Sequence, residues 1–412
     1  MTTSPSTLII GAGPAGLIAA ETLAQAGLAV TIYDRMPTPG RKFLMAGHGG
    51  LNLTNDEPLE LFLTRYSASS PLLAAAIESF PPSALRSWAE GLGQDLFVGT
   101  SGRVFPKVMK TSPLLRAWRA RLETLGVSFV LRTRWLGWDK NGALLFENEA
   151  GGKSTLTPKA YLLALGGASW PQLGSDAAWV PFLQEAQIPL APFEPSNCGF
   201  IAPWSAFFAE RFAGQPLKPV TLHFEERTIQ GELMITTGGL EGGAIYALSG
   251  ALRRAIQTQG EATLTLDLRP GLDEATLRSR LSVSRGSQSL STFLHKAGGL
   301  APQAIGLVRE VTHTNPKALE SPEKLATLIK ALPLKLTATA PIARAISCAG
   351  GVKLEALDEQ FMVRERPGLF IAGEMLDWDA PTGGYLLQAC FSTGMAAAKG
   401  IKAWLYNKGL AR

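Results

Sequence analysis

Residues 8–10 (LII) are an apolar run without amphipathic alternation, the pattern of a strand buried on both faces of a parallel sheet. Residues 17–26 then read as a helix that stops at Gly27, and residues 28–33 return as a second strand. Between the first strand and the helix lie Gly11, Gly13 and Gly16, and the second strand ends on Asp34, 23 residues after Gly11. Residues 37–55 (PTPGRKFLMAGHGGLNLTN) are glycine-rich and mostly aperiodic, which predicts a loop. Residues 59–91 predict helix in two or three pieces, broken at Pro71 and Pro81-Pro82. Residues 99–106 predict a turn and a short strand. Ser112, with Pro113 at the first position, predicts a helix running to Leu125 and stopped by Gly126. Residues 127–135 alternate as a strand. Residues 161–167 (YLLALGG) form another buried strand, ending in the pair Gly166-Gly167.

The pattern then changes. Residues 189–268 carry short strand-like runs at 220–224, 228–235 and 262–266, and residues 273–332 read as helices separated by Pro302, Pro316 and Pro322. Toward the C-terminus, residues 368–374 (GLFIAGE) are a strand leading into a glycine and an acid. A loop with Asp377, Asp379, Pro381, Thr382, Gly383 and Gly384 follows, and then a helix over residues 385–402.

Strand, glycine turn, helix, strand and acid in that order are the dinucleotide fingerprint in its structural context. Gly11 permits the tight turn, Gly13 lets the backbone approach a pyrophosphate, and Gly16 lets the helix pack close to the sheet. The helix N-terminus, at Pro14 and Ala15, turns free N–H groups and a positive dipole end toward phosphate. Asp34 can accept hydrogen bonds from ribose hydroxyls, and its charge opposes a 2′-phosphate. Arg35, Arg41 and Lys42 add positive charge close to the first two strands.

Composition narrows the class. The 412 residues are 46% apolar and 18% charged, enough for two or three domains with sizeable cores. The net charge of +5 suits an anionic ligand without selecting nucleic acid. Cys198, Cys348 and Cys390 are widely spaced and include no C-x-x-C, which argues against a dithiol redox centre and fits a reducing cytoplasm. No metal-ligand spacing is present. The polar first seven residues predict no signal peptide, and no apolar run reaches membrane-spanning length, so no membrane partner is expected. No oligomeric state is specified.

Residues 37–55 resemble the G-[RK]-K-x-L-x-x-G-G-G-R-C-N-x-T-N segment of the HI0933-like FAD-containing oxidoreductases, matching at Gly40, Lys42, Gly47, Asn52, Thr54 and Asn55. Gly50 and Leu51 stand where the family has Arg-Cys, and His48 lies in its glycine run. GRVFP at 102–106 resembles a second family segment, GASWPQLGS at 167–175 a third, and residues 231–245 a fourth. Residues 368–397 resemble G-L-[YF]-x-A-G-E-x-L-D-x-x-x-x-T-G-G-Y-x-x-Q-x-x-x-x-S-G nearly residue for residue, with A-G-G-V upstream at 349–352.

This resemblance implies an α/β fold: a Rossmann-like FAD-binding domain from residues 1–190 and 337–412, interrupted by a substrate-side insertion at 191–336. The insertion is expected to be β-rich over 191–270 and helical over 271–336. It implies FAD held by Gly11, Gly13, Pro14, Ala15, Gly16, Asp34, Arg35, Arg41, Lys42, Asn52 and Gly166. Trp135 would meet the adenine through its backbone. Gly373 and Glu374 would hold the ribityl chain, and Thr382, Gly383, Gly384 and Tyr385 the isoalloxazine. With a single fingerprint there is no separate NAD(P)H domain, so NADH or NADPH would visit the flavin transiently. Three readings follow. The first is reduction of an activated C=C or C=N bond of a small molecule. The second is reduction of uridine in RNA, and the third a flavin-bound protein without catalysis. His48 and Tyr385 are the candidate catalytic residues, with Cys390 a third proton-donor candidate.

Overall fold

Five parallel strands in the order Leu369–Ile371, Ala160–Leu163, Thr7–Ile10, Val30–Tyr33 and Ser128–Val130 make the central sheet. A computed structural model describes residues 7–47, 49–66, 70–314 and 316–410. The chain divides into two compact units, Met1–Glu194 with Ser347–Arg412, and Pro195–Ile346.

In the first unit, the sheet's middle strand places Leu8, Ile9 and Ile10 in the core, as an unalternated apolar run requires. Helix Pro14–Gln25 follows and buries Leu17, Ile18 and Leu23, each worth about 1.5–3 kcal/mol on leaving water. It packs against the long helix Tyr385–Asn407. The approach is so close that a Cβ at Gly394 would overlap the Ala15 carbonyl oxygen. Buried Glu21 ties three helices together. Its carboxylate accepts from Trp118 Nε1 at 2.7 Å, Trp88 Nε1 at 3.1 Å and Arg121 at 2.9 Å. The unit also holds two small three-stranded antiparallel sheets, one of Thr54–Asn55, Arg103–Pro106 and Leu96–Val98, the other of Thr133–Trp138, Leu144–Asn148 and Lys153–Leu156.

The second unit is built on a seven-stranded antiparallel sheet centred on the hairpin Pro216–Phe224 and Arg227–Thr236, with its own apolar core around Phe200, Phe208, Leu222 and Leu264.

The elements differ from the sequence pattern in four places. The 37–55 segment contains helix Arg41–Ala46, since RKFLMA is a run of helix formers entered through Gly40 at φ +67°. The helix expected from Ser112 begins at Thr111, with Lys110 at its N-cap, so Ser112 lies inside it and caps nothing. The 127–135 strand is two strands. Arg132, at φ +54°, turns the chain from the parallel sheet into the small antiparallel one. The helical stretch 271–336 ends in strand Leu332–Leu336, whose alternating Leu332, Leu334 and Leu336 face the core and pair with Ala262–Asp267.

Candidate functional site

The glycine turn is shaped by the strands beside it. Gly11 stands at φ +108°, its N–H donates to the Tyr33 carbonyl at 2.8 Å, and a Cβ would overlap the Ala164 carbonyl oxygen. Gly16 lies under the turn, where a Cβ would overlap the Gly11 carbonyl oxygen. Gly13 differs. Its φ of −82° suits any residue, and a Cβ there would meet nothing within 4 Å. Gly13 is also the helix N-cap and supplies no side-chain cap, so the positive end of the helix is left for a ligand.

Asp34 closes the turn from the second strand. One carboxylate oxygen accepts the Ala12 N–H at 2.6 Å and the other the Met36 N–H at 2.7 Å. Burial pushes the Asp34 carboxyl above the usual carboxylate range, against the lowering effect of these N–H groups and of Arg35.

A cleft opens along these residues, enclosing about 1190 Å³ of space, its mouth included. Gly11, Gly13, Pro14, Ala15, Asp34, Arg35, Arg41, Lys42, Trp135, Gly166, Gly373 and Glu374 all line it. Two ion pairs border it. Lys42 Nζ lies 2.6 Å from Glu374 and donates to Ser169 Oγ at 2.7 Å, while Arg35 meets Asp176 at 2.6 Å. Among the described residues, Arg41 and Arg134 have no bonded carboxylate and leave their charge to the cleft. Glu374 also lies 3.6 Å from Cys348 Sγ, and burial together with that carboxylate pushes the Cys348 thiol well up. Cys390 lines the cleft as well, its thiol pushed up to about 12 chiefly by burial, so both cysteines stay protonated thiols at neutral pH.

The other candidates lie elsewhere. Gly16 and Asn52 are outside the cleft lining, as are Thr382, Gly383, Gly384 and Tyr385, and His48 lies outside the described residues. Gly384 is one of the residues the resemblance gives to the isoalloxazine. The structure gives it a different neighbour: at φ +97°, a Cβ would overlap the Thr54 backbone, so the glycine is required by protein packing. Tyr385 Oη donates to Glu57 at 2.7 Å, and Glu57 in turn binds Arg65. Burial and Glu57 raise the Tyr385 phenol well above its ordinary value. Sequence reasoning missed Met36, Thr133, Asp176, Trp179 and Phe182, which also line the cleft. Only Asp176 had a signal, as the residue directly after the GASWPQLGS segment.

The residues present fit FAD on three structural grounds. A cradle at Gly13 would be filled by a Cβ, a helix N-terminus is uncapped, and the indole N–H of Trp135, buried in the cleft wall, has no hydrogen-bond partner.

A Rossmann-type sheet with a cleft of this make at the strands' carboxyl ends defines the class of flavin-dependent oxidoreductases. Within that class the chain belongs to the HI0933-like family, whose Rossmann-domain model matches residues 5–400. It is 24% identical to the 3-dehydro-bile acid delta(4,6)-reductase of Clostridium scindens, over 95% of this chain and 97% of that one. It is 24% identical to the ribosomal RNA dihydrouridine synthase of Haemophilus influenzae, over 96% and 98%. Among solved structures, a flavocytochrome c3 fumarate reductase in its open conformation aligns with TM-score 0.56 at 16% identity, over 98% of this chain and 79% of that one. The 3-ketosteroid delta1-dehydrogenase of Sterolibacterium denitrificans aligns with TM-score 0.54 at 14% identity, over 98% and 100%. At these identities the two structures speak for the fold. Among the described residues, no helix is long and apolar enough to cross a membrane.

Proposed function

We propose that this protein reduces an activated C=C or C=N bond of a small molecule, using FAD in the cleft and NADH or NADPH as electron source. The observation that carries the reading is the cleft itself, with Gly13 open, the helix end uncapped and the Trp135 N–H unpaired. The names of two relatives support the bond type, since a delta(4,6)-reductase and a dihydrouridine synthase both add hydrogen across a conjugated C=C bond. Bound FAD would supply two-electron hydride transfer.

The chain's own residues bind and orient. Asp34 accepts ribose hydroxyls on the lone pairs its two backbone bonds leave free. Lys42 fixes the Glu374 carboxylate, which would hold a ribityl hydroxyl, and Arg41 with the uncapped helix end would balance the pyrophosphate. Tyr385, Glu57 and Arg65 form a hydrogen-bonded chain that fixes the first residue of helix Tyr385–Asn407 outside the cleft lining. Three free thiols support a reducing, cytoplasmic setting.

One observation favours RNA as the carrier of the reduced base. Residues 275–309 contain Arg278, Arg280, Arg285, Lys296 and Arg309, all exposed, and no Asp or Glu. The test is anaerobic. The oxidised flavin band should bleach with NADH or NADPH and recover on adding either a conjugated enone or a uridine-containing RNA. Recovery with enone alone supports the small-molecule reading, and recovery with RNA alone supports the second. Recovery with neither, after bleaching, contradicts both.

A further inference from the structure

We propose that residues 167–177 form a latch over the cofactor cleft, and that Arg35 and Asp176 are positioning residues whose ion pair holds it shut and sets how long FAD stays bound. This rests on the FAD reading of the cleft.

The segment is a closed loop on a fixed base. Its ends meet where the Ala177 N–H donates to the Gly167 carbonyl at 3.0 Å, and Trp179 Nε1 donates to the Gly166 carbonyl at 2.9 Å beneath them. Such compact loops with their ends close together are frequently functional. The tip lines the cleft through Leu173, Gly174, Ser175 and Asp176. Its path is tightly specified, with Trp170 at φ +64°, Gly174 at +101° and Ala177 at +55°.

The contacts holding the tip come from the nucleotide-binding strand and the helix after it. Arg35 reaches Asp176 at 2.6 Å and the Pro171 carbonyl at 3.3 Å with its two terminal nitrogens. Gly174 lies against Met36, where a Cβ would come within 3.0 Å of Cγ. Lys42 donates to buried Ser169 at 2.7 Å. The Arg35 guanidinium is therefore spent on the loop. Sequence alone had assigned it to the cofactor. The pair is partly exposed, at 22% and 26%, so it can open without unfolding the unit.

The two roles for Arg35 separate in the signs of two variants. FAD release from the loaded protein is timed by the rise in flavin fluorescence on large dilution into flavin-free buffer. For a latch, Arg35→Met and Asp176→Asn both speed release about tenfold, equivalent to about 1.4 kcal/mol. Asp176→Glu, which keeps the carboxylate, stays near the wild-type rate. If Arg35 instead held the cofactor directly, Arg35→Met would speed release while Asp176→Asn, which frees the guanidinium, would slow it or leave it unchanged, and the proposal would be overturned. A second measurement needs no cofactor: hydrogen exchange at the Ala177 amide should accelerate in both single variants of the cofactor-free protein. Unchanged exchange in both overturns the latch. A wild-type protein that carries no FAD overturns the cleft reading, and the exchange data then decide on the loop alone.

Discussion

Replacing Gly13 with alanine should weaken cofactor binding and leave the fold in place. At φ −82° an alanine is unstrained, and its Cβ would meet no protein atom within 4 Å. The cost to folding is that of an N-cap change from glycine to alanine, about 0.5–1 kcal/mol. The new methyl stands where the cleft needs the backbone bare. Forcing one extra carbon into a fitted contact costs about 1–3 kcal/mol, roughly 5–150-fold in Kd. Gly16→Ala is the opposite control. Its Cβ would overlap the Gly11 carbonyl oxygen, so its cost falls on folding, at about 3 kcal/mol or more. Both apoproteins are melted by calorimetry and then titrated with FAD by fluorescence quenching. The expected result is a Gly13→Ala protein with near wild-type Tm and weakened FAD binding, beside a Gly16→Ala protein with a lowered Tm. A folded Gly13→Ala protein that binds FAD as the wild type does would refute this placement of the pyrophosphate.

Asp34→Ala should weaken FAD binding by roughly 1.5–3 kcal/mol in the same titration, and should also lower Tm because it strands the Ala12 and Met36 N–H groups. Glu21→Ala, outside the cleft lining, should cost about 3–5 kcal/mol in urea denaturation, since it leaves the buried Trp118 and half-buried Trp88 indole N–H groups and the Arg121 charge without their acceptor. The Glu57 carboxyl is held below its ordinary value of 4.5, chiefly by its hydrogen bond from Arg65. Its contribution is complete above pH 4.5 and is lost as pH falls through the lowered value. Urea midpoints of Glu57→Gln should therefore fall less steeply than wild type below pH 4.5.

The parallel sheet was legible because Leu8, Ile9 and Ile10, like residues 161–163, are apolar without alternation, and only a strand buried on both faces needs that. The fingerprint was legible because its glycines answer to backbone geometry, and that geometry is local. The packing of Gly384 was hidden for the same reason: its αL backbone is local, but the Thr54 backbone that fills the space beside it is 330 residues away in sequence. The ion pairs were hidden in the same way. Lys42 and Glu374 each read as a cofactor ligand, and nothing in a linear pattern shows that they meet at 2.6 Å. Trp179 and Phe182 lie on a short helical stretch whose apolar character reads as ordinary core. The break at Arg132 was missed because a non-glycine residue at positive φ leaves no mark in the hydrophobic pattern.

The central claim is that the cleft from Gly11 to Glu374 is an FAD site. The protein should be purified without added flavin, denatured, and the released cofactor separated by chromatography and quantified against chain concentration. The account predicts FAD at one per chain. Recovery of no flavin, with none taken up when the folded apoprotein is offered FAD, would contradict it, and so would recovery of FMN alone.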